Sequence, residues 1–61
     1  MPKDCYEIFA ERYRAAAPEL RSLAKVYWLK SHSVVLNSGR EDLINFTSRI
    51  IAQITMIDSE S

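Results

Sequence analysis

Apolar residues recur at positions 5, 8, 9, 13, 16, 20, 23 and 27, and Pro18 falls in the middle of the run. Steps of three and four keep one helical face in phase for about six turns. The proline opposes that phase. Its ring lacks an N–H and clashes with the carbonyl four residues back, at Arg14. Two outcomes are open: a kinked helix that keeps one face throughout, or a second helix with Pro18 in its first turn followed by Glu19. Ala15, Ala16 and Ala17 are strong helix formers up to the proline, which favours a kink or a one-residue break. Asp4 is placed to cap the start, with Glu7 in the first turn, where acids suit the helix dipole.

The helical face weakens after Leu29, where Ser31, His32, Ser33, Val34 and Val35 combine hydroxyls with β-branched residues. Asn37-Ser38-Gly39 is a turn signal, and Ser38 with Glu41 spells a capping box for the next helix. That helix carries Leu43, Thr47, Ile50, Ile54 and Ile57 at helical spacing, and Ile44, Phe46 and Ile51 widen the stripe. The stripe spans roughly 160° of the helical wheel, more than one neighbour covers, so it must be covered from two sides. The chain is therefore expected to be one all-α domain over residues 1–61, a helical hairpin or three-helix unit. Its helical regions are expected at about 4–17, 18–35 and 40–57, followed by a disordered tail at 58–61. The β preference of the isoleucines and threonines raises a hairpin of strands as the rival. Ile50-Ile51 and Gln53-Ile54 break the period of two that strands require.

Size brings in the next constraint. A chain of 61 residues buries only about 60% of the surface it exposes unfolded, so small domains lean on disulfides, metals or self-association. One cysteine (Cys5) and one histidine (His32) leave no disulfide and no metal-ligand spacing within the chain, and no cofactor is implied. A homodimer is the expected remedy, with the seam at Ile44, Ile50, Ile51, Ile54 and Ile57 completing a four-helix core.

Eight Lys and Arg balance eight Asp and Glu, which argues against a nucleic-acid partner, since such proteins carry a basic excess. Through Leu36 the chain holds six cations and four acids, and the remainder carries the opposite balance, a pattern suited to ion pairing within or between chains. No apolar run approaches the ~20 residues that span a bilayer, and the first residues lack the apolar core of a secretory signal, so the expected location is cytoplasmic. Asn45-Phe46-Thr47 matches a glycosylation acceptor but lies inside an apolar periodic segment.

Few residues suggest chemistry. Cys5 beside Lys3 in a first helical turn is a place where thiols become reactive, but with no partner His or second Cys nearby in sequence the favoured reading is a small apolar residue at the core edge. His32 has no catalytic partner nearby and is suited to satisfying the last carbonyls of its helix. With no phosphate loop and no nucleophile–base arrangement, no catalytic residue is assigned and enzyme is the least favoured class. Phe9, Tyr13 and Tyr27 are expected in the core stripe. Tyr6 and Trp28 project from its edges, and Trp28, Tyr6 and Arg21 are candidates for a contact surface, a role in which Trp, Tyr and Arg are enriched. The function expected is that of a non-enzymatic helical interaction module: a regulator, adaptor or inhibitor that binds itself and another, unidentified protein. The competing expectation is a dimeric helix-turn-helix regulator with the segment from Arg12 to Lys30 on DNA.

Overall fold

The computed structural model describes residues 1–60 and contains three helices and no strand among them: α1 (Cys5–Ala15), α2 (Pro18–Val35) and α3 (Glu41–Asp58). At the start of α1, Asp4 adopts extended backbone and its carboxylate accepts the Glu7 N–H at 2.8 Å. The break at Pro18 is complete. Ala16 and Ala17 both take extended conformations (ψ 150° and 154°), and Pro18 opens α2 at its first turn, where its missing N–H costs nothing. Three alanines in a row do not hold the helix through a proline, because the residue before proline is itself forced out of the helical region.

The connection between α2 and α3 turns at Asn37–Gly39, with Gly39 in the left-handed region at φ 74°, a conformation that L side chains rarely adopt. The capping box does not form. The Ser38 hydroxyl donates to the Val35 carbonyl at 2.6 Å and accepts the Arg40 N–H at 3.1 Å, so it closes the turn instead. Arg40 stands at the cap of α3 and grips Asp42 with two N–H donors at 3.0 and 2.8 Å, which lowers the Asp42 pKa.

α3 is the organiser. Thr47, Ile50, Ile54 and Ile57 are buried on it, Ile54 at 1% exposure, because α2 covers one flank of its wide stripe and α1 the other. Ala10 and Tyr13 of α1 complete the buried set, and α2 contributes no fully buried residue. The dimer seam expected at the isoleucines is thus largely used within the chain: Ile50, Ile54 and Ile57 lie in its own core, with Ile44 and Ile51 half-buried at the edge. α1 and α2 meet through Phe9 and Trp28, edge to face at 6.1 Å. The Cα positions span 34 × 31 × 16 Å. That thickness is about two helix layers, since interaxial distances of 8–10 Å add to Cα radii of about 2.3 Å on each side. The radius of gyration, 12.0 Å, exceeds the roughly 10.5 Å expected for 61 residues, as a flattened unit requires.

The end of α3 is tied down. Tyr13 Oη donates to Asp58 Oδ1 at 3.0 Å, Lys25 Nζ reaches Asp58 Oδ2 at 3.3 Å, and Arg14 Nη2 pairs with Glu60 Oε1 at 2.7 Å. The tail expected to fray from 58 is therefore held through Glu60; Ser61 lies outside the described residues.

Candidate functional site

α2 is turned against its own sequence. Its half-buried residues are Arg21, Ala24, Trp28, Ser31, His32 and Val35, a mixed set with one large apolar member. Leu20, Leu23, Tyr27 and Val34, expected to follow the core or to end the helix, stand outward at 59, 67, 62 and 73% exposure. Val26, Leu29 and Leu36 are also about half exposed. The cause lies at the helical joint. Trp28 fills the space between α1 and α3, with its ring 6.1 Å from Phe9, 5.8 Å from Phe46 and 5.1 Å from Tyr27, all three tilted toward edge-to-face geometry. Once the indole points inward, the residues one position before it and four before that are rotated about 100° and 140° away from it around the helix.

The outward residues are ordered. Leu20, Leu23, Tyr27, Lys30 and Val34 follow steps of three, four, three and four, the seam spacing of paired helices. Tyr27, Lys30, Ser31 and Val34, with Val35, line a shallow groove of about 380 Å³. Four residues at i, i+3, i+4 and i+7 make the hole that receives one side chain from a facing helix. Leu20, two turns earlier, is a side chain of the right kind.

A second cleft, about 350 Å³, lies where the three helices converge and is lined by Tyr13, Pro18, Arg21, Ser22, Lys25, Ile57 and Asp58. Its charges are matched. The Tyr13 hydroxyl and the Lys25 ammonium hold the Asp58 carboxyl below the usual carboxylate range, while burial and the neighbouring Asp58 push the Tyr13 phenol up.

The residues singled out for contact do not share one surface. Trp28 and Arg21 lie on the side of α2 turned toward α3, Trp28 in the aromatic cluster and Arg21 beside Asp58. Tyr6 packs on Phe46 at 5.8 Å and lies under the Arg49 guanidinium, 4.2 Å from the ring centroid. His32 does not cap its helix. Its Nδ1 lies 2.8 Å from Thr47 Oγ1, and the Thr47 hydroxyl is within 3.0 and 3.1 Å of the Leu43 and Ile44 carbonyls. The Thr47 hydroxyl thus stands between two carbonyl acceptors and the imidazole, and the His32 tautomer decides which of the two side chains donates. Cys5 is exposed, outside the core. Among the described residues no group of three or more His, Cys, Asp or Glu is placed to hold a metal ion, and no helix is long and apolar enough to cross a membrane.

The surface that sequence reasoning missed is the outward ladder of α2. Its signal was present as the three-four spacing from Leu20 to Val34, hidden because the same residues continue the phase of α1 across the proline. Comparison with family models, with curated proteins and with solved structures finds no match to this chain.

Proposed function

We propose that this chain is a non-enzymatic helical interaction module whose working surface is the outward face of α2. The observation that carries the reading is the inversion of that helix: Leu20, Leu23, Tyr27 and Val34 face out while Arg21, Ala24, Ser31 and His32 turn toward the core. Burying one such apolar side chain contributes about 1.5–3 kcal/mol. Four left outward forfeit an amount comparable to the whole stability of a 61-residue domain, roughly 3–9 kcal/mol. A contiguous face of this kind persists where a partner covers it.

Other observations support the non-enzymatic half of the reading. His32 is engaged with the Thr47 hydroxyl, which itself lies against the Leu43 and Ile44 carbonyls, and Asp58 is engaged with Tyr13 and Lys25. A DNA surface between Arg12 and Lys30 is disfavoured by the same kind of pairing, since two of the cations in that segment, Arg14 and Lys25, are engaged with Glu60 and Asp58. The test is a photo-crosslinking side chain placed at Leu23 and, as control, at Asn45 on the exposed side of α3, each expressed in the native host. A discrete protein adduct from position 23 and none from 45 is expected. Equal labelling from both positions, or none from 23, contradicts the reading.

A further inference from the structure

Resting on the reading of α2 as a docking face, we infer that its occupant is a second copy of this chain, laid antiparallel so that each copy's Leu20 enters the other's groove of Tyr27, Lys30, Ser31 and Val34. Knob and hole lie on the same helix, so a two-fold pairing satisfies both at once, as an isologous interface requires. Seating Leu20 over the middle of the groove puts the two-fold axis near Lys25 and sets Leu23 of one copy against Tyr27 of the other. Lys25 itself reaches toward Asp58, so no cation meets its own copy at the axis.

Charge selects the direction. In this register Glu19 of one copy falls within about two residues, ~3 Å along the axis, of Lys30 of the other, and the pair occurs twice. Neither residue has an ion-pair partner among the described residues of its own chain. Lys30 is among the residues that line the groove, and a lysine there can cover apolar surface with its stem while its ammonium meets the carboxylate. A parallel pairing would instead set Lys30 beside Lys30 within the seam, which is repulsive.

Area agrees. A folded chain of 7.0 kDa exposes about 4,000 Å² by the usual mass scaling, and this one exposes 4651 Å². The excess, about 600 Å², approaches the roughly 800 Å² that each partner contributes to a stable interface. Leu29 and Leu36 remain outside the seam, and Val26 flanks it beside Leu23.

Sedimentation equilibrium of the full chain under reducing, low-salt conditions tests the inference. The wild type should be a dimer at tens of micromolar. Glu19→Lys and Lys30→Glu should each weaken it about tenfold, because two rim pairs become repulsive. The double variant Glu19→Lys/Lys30→Glu should recover to within about threefold of wild type, since both pairs are restored in reverse. Leu20→Asp should give a folded monomer: the residue is exposed, and an acid suits the first turn of α2. Helicity by circular dichroism checks that each variant folds. A monomeric wild type overturns the inference, and a crosslink from position 23 to a different protein would then leave the docking reading standing. Single variants that match wild type, or a double variant weaker than either, overturn the antiparallel register.

Discussion

α2 and α3 are each 18 residues long, yet α3 buries four side chains and α2 none. The difference follows from neighbours. α3 lies between two helices, so every part of its wide stripe meets a partner, whereas α2 has α3 on one side and touches α1 through Trp28. A helix with one neighbour buries one side only, and the largest side chain decides which. The indole of Trp28 wins the joint, and the leucines are turned out. In a chain this small, a second apolar face has no room inside and is available for assembly.

The sharpest way to break this comparison is to make the same kind of truncation on both helices. Ile54→Ala removes the most buried side chain of α3 and should cost about 2–5 kcal/mol, enough to unfold much of the population. Leu23→Ala on α2 should leave the fold of the monomer within about 0.5 kcal/mol of wild type. Urea unfolding followed by circular dichroism, at a concentration below association, reads both. Equal losses would mean that α2 is core and that its outward face does not exist.

Trp28 sits on the boundary between the two regions and sharpens it. Its ring is half-buried, so Trp28→Ala should cost less than a full core deletion, about 2–3 kcal/mol. Because the indole packs on Phe9 and Phe46 of its own chain, its emission should change little on dilution through the dimer–monomer transition. A large red shift on dilution would place the indole in the interface and return it to the role the sequence suggested.

The smallest effect concerns the end of α3. Asp58 has a lowered pKa in the folded chain, so its bonds to Tyr13 and Lys25 stabilise fully above its unfolded value near 3.9 and are lost as pH falls through the folded value. Stability should therefore decline below about pH 4. Asp58→Asn should lower stability at neutral pH and flatten that decline. An unchanged acid limb in the variant would show that Asp58 is not its source.

How much of this was legible depends on the reach of each interaction. The stripe of α3 was readable because Thr47, Ile50, Ile54 and Ile57 lie on one continuous helix, where spacing maps directly onto a face. The turn at Asn37–Gly39 was readable from local chemistry. The orientation of α2 was not, since two extended residues before Pro18 reset the direction of the chain and the shared phase of Ala16, Leu20 and Leu23 ceased to mean a shared face. Asp58 and Glu60 find Tyr13 and Arg14, 45 and 46 residues away, which no local pattern announces. Sequence reasoning expected self-association from chain size and looked for the seam on the most apolar helix. The fold uses that helix first, for itself.

The central claim is that the outward ladder of α2 is an interface between copies while the isoleucines of α3 are internal. Isotope-filtered NOE spectroscopy on a dimer mixed from labelled and unlabelled chains observes contacts between copies alone. The account predicts intermolecular NOEs from the Leu20 methyls to the Tyr27 ring and the Val34 methyls, and from the Leu23 methyls to the Tyr27 ring. Filtered NOEs from Ile50 or Ile54 instead, or none from α2, would contradict it.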